Sequence, residues 1–129
     1  MELRRRARSG EHDTIDGLSA ATMAQIRRIE VLHPRMYPGF TREALRRWES
    51  FVRSRSPWTV LEVLRGDTVV GCGIRGCCPT PVDDRELLWA LVCALRRPQA
   101  RELRARIRRM EDLHGLPEYE LSPSELPPV

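Results

Sequence analysis

The sequence contains no lysine, because all 22 of its basic residues are arginine. Aromatic residues make up only 5% of the chain, and none forms the paired aromatic motif with which RNA-recognition modules stack bases. No stretch approaches the roughly 18 uncharged apolar residues of a membrane-spanning helix, which predicts no membrane association. The first eight residues hold four arginines with no apolar segment behind them, so no secretory signal is expected. Together these absences predict a cytoplasmic protein.

A catalytic residue set is also missing from the pattern. No combination of serine, histidine and acidic residue stands at a recognisable spacing, and no pair of carboxylates stands out. His33 and His114 each lie where a helix is predicted to end, where a histidine commonly interacts with the helix dipole. We therefore expect a protein that is not an enzyme.

Charge is distributed unevenly along the 129 residues, which are enough for one domain. Residues 116–129 contain three glutamates, four prolines and no arginine, and they predict an extended or disordered acidic tail. The remaining 115 residues carry 22 arginines against 15 acidic residues, a formal charge of +7. Residues 1–13 lack an apolar period and predict a flexible basic arm, which leaves 14–115 as the predicted domain. A basic body of this kind either binds a polyanion or is covered by its own tail.

Four segments repeat apolar residues at the three- to four-residue intervals that are typical of helices. The predicted helices run from Thr14 to His33, from an N-cap at Thr41 to about Ser54, from Asp83 to the residues before Pro98, and from Pro98 to Gly115. The residues predicted to be buried on these helices are Leu18, Met23, Ile26, Ile29, Ala44, Leu45, Trp48, Phe51, Val52, Leu87, Leu88, Leu91, Val92, Leu95, Leu103, Ile107 and Met110, together with Leu32 and either Leu113 or His114 at the helix ends.

Between the second and third helices the pattern favours strands. Residues 58–64 and 68–74 are rich in apolar and β-branched residues, and Arg65-Gly66-Asp67 between them has the composition of a turn. The predicted fold is therefore α+β: two helices, a β-hairpin and two helices. Both faces of the hairpin are apolar, so it requires helices on both sides or the strand of a second chain, which would give a homodimer.

Three of the four cysteines fall within seven residues, at Cys72, Cys77 and Cys78, and the fourth is Cys93. One interpretation is a structural zinc site with Cys72, Cys77 and Cys93 as ligands, since the end of a hairpin commonly holds a pair of zinc ligands. A complete second ligand pair is absent, however, so Cys93 or a histidine would have to complete the site. The zinc-stabilised interaction module therefore stands as an alternative function.

Other interpretations of the cysteine segment are weaker or simpler. Gly71-x-Gly73-x-x-Gly76 matches the dinucleotide-binding fingerprint, but two prolines delay the helix that should begin inside the motif. Redox chemistry lacks a Cys-x-x-Cys pair. The favoured interpretation is that Cys72 and Cys93 are buried as small apolar residues, that Cys77 and Cys78 lie in a turn, and that the protein holds no cofactor.

Between residues 23 and 75 the chain contains Ile29-Glu30, Tyr37-Pro38, Thr41–Leu45 and Val69–Ile74. In this order the segments resemble the first half of a GNAT acetyltransferase. The resemblance implies acyl transfer from acyl-CoA, although the acyl-CoA loop of that family has no match after the predicted hairpin. A degenerate GNAT-like acyltransferase is thus a further alternative, and the resemblance assigns no site residue.

The arginines themselves give the leading functional hypothesis. On the last predicted helix four arginines recur at helical spacing, and four more lie in the basic arm. These eight candidate binding residues are Arg4, Arg5, Arg6, Arg8, Arg97, Arg101, Arg104 and Arg108. They predict a non-catalytic binding or accessory protein that contacts a nucleic-acid backbone or an acidic protein surface. A solvated helix face without a ligand is the alternative.

Overall fold

The structure, a computed structural model, describes residues 14–66 and 80–117, and all regular elements in these two ranges are α-helices. The five helices are α1 Ala20–Leu32, α2 Phe40–Ser54, α3 Pro57–Leu64, α4 Pro81–Ala94 and α5 Arg97–Leu113. Helices account for about three quarters of the described residues. None of the described helices is long and apolar enough to span a membrane.

The predicted β-hairpin, and with it the α+β class, is wrong. Its first strand, residues 58–64, lies within helix α3, and its second strand, residues 68–74, lies outside the described residues. The helix also removes the strand edge on which the predicted homodimer depended. The GNAT resemblance ended in this hairpin; its first strand is a helix, and the quoted segment Val69–Ile74 lies outside the described residues.

Local signals at both ends explain why α3 is a helix. The hydroxyl of Ser56 accepts a hydrogen bond from the backbone N–H of Thr59 at 3.2 Å, and Pro57 occupies the first turn. Gly66 ends the segment with a φ of +81°, in the left-handed region that favours glycine.

The side chains of α3 are compatible with either structure in isolation. A short apolar run does not distinguish a buried helix from a buried strand. Relative to alanine, each valine lowers the stability of a helix by only about 0.7 kcal/mol or less. Packing therefore decides the outcome, because the helical backbone buries Val60, Leu61 and Val63 together.

Two predicted helix starts are displaced by their caps. Helix α2 begins one residue before Thr41, because Gly39 adopts a φ of +87° and the buried carboxylate of Glu30 accepts hydrogen bonds from the N–H groups of Gly39 and Thr41 at 3.1 and 2.8 Å. Helix α4 begins at Pro81, because Thr80 and Asp83 form a reciprocal capping box.

The predicted start of α1 is also wrong. The helix begins at Ala20 rather than Thr14, with Ser19 as its N-cap. The preceding residues instead form a turn in which Gly17 has a φ of +88°. The predicted ends are closer to the structure: α1 ends before His33, and α5 ends at Leu113, just before Gly115 with its φ of +76°.

Helix α4 lies at the centre of the described structure. Helix α4 packs against α2 and α5, and α1 packs against the same two helices. Fifteen of the apolar residues predicted to be buried are buried, which supports the helical periodicity outside α3. They form two clusters, one around Leu88 and Leu91 and the other around Trp48 and Val60. The prediction is wrong at the helix ends, where Leu32 and Leu113 are exposed, and Leu18 and Ile29 are only half-buried.

The cap of α3 can be tested directly. We expect Ser56→Ala to lower the free energy of unfolding by about 1 kcal/mol, because an N-cap hydroxyl is lost. Ser56→Asp, the matched control, keeps an acceptor at the cap and should stay close to the wild type in urea denaturation. Equal stability of all three proteins would contradict the helix.

Candidate functional site

The four arginines predicted on the last helix form one row on the surface of α5. Arg97, Arg101 and Arg104 are exposed and Arg108 is half-buried, while Leu103, Ile107 and Met110 point into the core. We call Arg97, Arg101, Arg104 and Arg108 the arginine row. The structure thus places these four predicted residues together. Arg4, Arg5, Arg6 and Arg8 lie outside the described residues.

One member of the arginine row is supported by an aromatic ring of α4. The guanidinium carbon of Arg104 lies 5.6 Å from the ring centroid of Trp89, which is itself buried. A cation over an aromatic ring at this distance is attracted by the ring's electron-rich face. The contact reduces the conformational freedom of the Arg104 side chain and so fixes its position on the surface.

A buried ion pair lies beneath this surface, between Arg85 of α4 and Glu111 of α5. The Nε of Arg85 donates to Oε2 of Glu111 at 2.9 Å, and a second guanidinium nitrogen, NH2, lies 3.4 Å from Oε1. The side chains of Arg85 and Glu111 are 0% and 4% exposed. Water therefore does not screen the pair, and a charge without its partner would be strongly destabilising here.

Two tryptophans complete the surroundings of the ion pair. Trp48 of α2 donates its indole N–H to Oε2 of Glu111 at 2.7 Å. The guanidinium of Arg85 lies 5.7 Å from the ring of Trp48 and 5.4 Å from that of Trp89. A single buried carboxylate thereby joins α2, α4 and α5.

Sequence reasoning did not identify this network, although a signal exists. Arg85 precedes Leu88 by three residues and Val92 by seven, so it falls on the same helix face as those two buried residues. An arginine on an apolar stripe indicates a buried partner, because an unpaired buried charge is rarely tolerated.

A second polar cluster ties the outer side of α2 to the start of α4. Arg47 donates to both carboxylate oxygens of Asp84, at 2.9 and 3.0 Å, and these bonds raise the pKa of the Arg47 guanidinium. Tyr37 donates to Glu43, which also lies near Arg47. Partial burial, followed by the bond to Glu43, raises the pKa of Tyr37. Because these side chains bond to one another, we interpret the cluster as structural.

A second arginine-bearing region lies between α2, α5 and residues 14–16. An open cleft of about 220 Å³ is present there, and its charged lining includes Arg42, Arg46 and Arg106. We call it the α2–α5 cleft. Arg42 and Arg46 are four residues apart on the polar face of α2, a spacing that sequence reasoning passed over.

Residues 14–16, which line the cleft, precede a segment that is attached to α5 by a carboxylate. Glu102 accepts from the backbone N–H of Ser19 at 2.7 Å and from its hydroxyl at 3.1 Å. The backbone hydrogen bond lowers the pKa of the Glu102 carboxyl. Arg106 reinforces the attachment, because its Nε donates to the carbonyl oxygen of Asp16 at 3.1 Å.

The predicted metal site is not assembled in the described residues. Cys93 lies exposed on α4, so its predicted burial is wrong. Cys72, Cys77 and Cys78 lie outside the described ranges. No cluster of three or more metal-ligating side chains occurs within residues 14–66 and 80–117. The zinc site with Cys72 and Cys77 therefore stays a prediction.

The buried ion pair gives a testable prediction about stability. We expect Arg85→Met and Glu111→Gln each to lower the free energy of unfolding by about 3–5 kcal/mol, because each removes one partner of a buried charge pair. The double variant should be more stable than either single variant, because it removes both charges and keeps an amide oxygen for the indole N–H of Trp48. Urea denaturation measures all three, and a double loss equal to the sum of the single losses would contradict the pairing.

Comparison of the chain with protein-family models, with curated proteins and with solved structures finds no match. The functional interpretation of the arginine surfaces therefore rests on their own geometry and charge.

Proposed function

We propose that the protein is a non-catalytic binding protein that contacts the phosphate backbone of a nucleic acid through the arginine row of α5. The observation that carries the proposal is the alignment of four arginines on one face of a single helix, three of them exposed. Guanidinium groups suit this role, because their planar fork of donors matches the oxygen atoms of a phosphate.

The length of the row is suited to a nucleic-acid strand. From Arg97 to Arg108 the helix rises by about 16 Å, at about 1.5 Å per residue. One strand of duplex DNA rises about 3.4 Å along the axis per phosphate and also winds around it, so a straight row of this length lies beside a few neighbouring phosphates. Several guanidinium groups can therefore reach the same backbone together.

The composition of this face favours a nucleic acid over an acidic protein. Protein interfaces usually contain a buried aromatic or apolar anchor at their centre. Between Arg97 and Arg108 the exposed apolar residues are Pro98 and Ala105, which are small and offer little anchoring area. A surface of guanidinium groups without such an anchor is suited to charge contacts with a backbone rather than to base recognition.

The helix that carries the row is rigidly mounted. Glu111 fixes the C-terminal half of α5 to Arg85 and Trp48, and Glu102 fixes its middle to Ser19. A preordered row loses less conformational freedom on binding, which favours affinity.

The salt dependence of binding tests the proposal. Neutralising Arg97 and Arg101 together, as R97Q/R101Q, should weaken binding to duplex DNA or RNA at low salt and reduce the slope of log K against log salt by about 2, because two phosphate contacts are lost. Fluorescence anisotropy with a labelled oligonucleotide over a series of salt concentrations measures both quantities.

A matched control distinguishes the row from general charge. R28Q/R35Q removes the same charge at two exposed arginines outside α5 and should leave the slope close to the wild-type value. Absence of binding at low salt, or an equal change of slope in both double variants, would contradict the proposal.

A further inference from the structure

We propose that the α2–α5 cleft is a second, separate site that binds a small phosphate monoester. It does not depend on the arginine row, since Arg106 lies about half a turn around α5 from the row at about 100° per residue. The inference goes beyond backbone binding, because it concerns a compact ligand with a terminal phosphate.

The cleft brings arginines from two helices to one place. Arg42 and Arg46 approach from α2, and Arg106 approaches from α5 on the other side. Convergence of guanidinium groups from separate elements is the arrangement that surrounds a phosphate with charge-assisted donors. The carboxylates of Asp16 and Glu49 also line the cleft, so its fixed charge is three positive against two negative.

Both acidic residues of the cleft make contacts with neighbouring side chains. The carboxylate of Glu49 faces the Nε2 atom of His114, at 3.2 Å, which provides a hydrogen-bonding partner for it. Asp16 contacts Arg106 through its backbone carbonyl oxygen, which holds that guanidinium at the cleft by its Nε. The terminal nitrogens of a guanidinium anchored by its Nε remain the groups suited to a bidentate contact with an oxyanion.

The floor of the cleft strengthens such contacts. Ile15 and Leu45 line it and are each 4% exposed, so apolar atoms replace water on that side. A lower local dielectric increases the attraction between guanidinium and phosphate.

Volume and charge together favour a monoester of small size. The cleft holds the equivalent of about seven water molecules at about 30 Å³ each, which suits a phosphate with a short substituent. A phosphate monoester carries about −1.5 to −2 charges at pH 7, more than a backbone diester, and so is attracted more strongly to the net positive charge of the cleft.

The experiment uses the full-length chain and inorganic phosphate as the probe. Phosphate is titrated at constant ionic strength against chloride, and the Nε–H signals of the arginines are followed by NMR. We expect saturable shifts for Arg42, Arg46 and Arg106, and a dissociation constant at least about tenfold weaker in R46Q, because one charge-assisted contact is lost. Arg46 is exposed and caps no helix, so this variant should fold normally.

The double variant R97Q/R101Q is the matched control, because it removes charge from α5 but leaves the cleft intact. It should bind inorganic phosphate as tightly as the wild type even where its binding to nucleic acid is reduced. Shifts without saturation, or phosphate binding weakened equally in R46Q and R97Q/R101Q, would overturn the proposal while leaving the backbone proposal to its own test.

Discussion

The ion pair between Arg85 and Glu111 is the interaction on which the described structure depends. It is buried, it joins the central helix to α5, and through the indole N–H of Trp48 it also joins α2. Taking both charges out of water is unfavourable, so the pair is compatible with folding only when these three helices meet in one arrangement. Packing of apolar side chains alone would tolerate small rotations and shifts of the helices. The directional bonds to one carboxylate restrict them.

Among the arginines of residues 14–66 and 80–117, Arg85 alone is buried. Arg85 is engaged in the core, whereas Arg97, Arg101 and Arg104 are exposed on α5. Because Glu111 fixes the roll of α5 about its axis, it determines which of its side chains reach solvent. The same roll brings Arg106 to the opposite side of the helix, where it meets the arginines of α2 at the cleft. The arginine row and the α2–α5 cleft therefore both depend on Glu111, which would contact neither ligand.

How far the sequence predicts this structure depends on the kind of signal. Amphipathic periodicity correctly identified the buried faces of α2, α4 and α5, because a helix with one apolar stripe has one way to bury it. The segment that contains Val60 and Leu61 favours a strand in the sequence, because a short run rich in apolar and β-branched residues is typical of strands, whereas tertiary packing decides its structure. The arginine row was visible in the spacing of α5. The α2–α5 cleft could not be predicted, because the sequence does not show that α2 and α5 lie side by side.

The buried pair was missed because each partner resembles a surface residue in isolation, and only the fold places them together. The distinction between the buried Arg85 and the exposed arginines of α5 is tested most directly by exchange of the guanidinium Nε–H protons with solvent. NMR follows this exchange for each arginine. The account predicts that the Arg85 proton is strongly protected, because its opening requires helices α2, α4 and α5 to separate, while the protons of Arg97 and Arg101 exchange rapidly. Exchange of Arg85 as fast as that of Arg97 would contradict it.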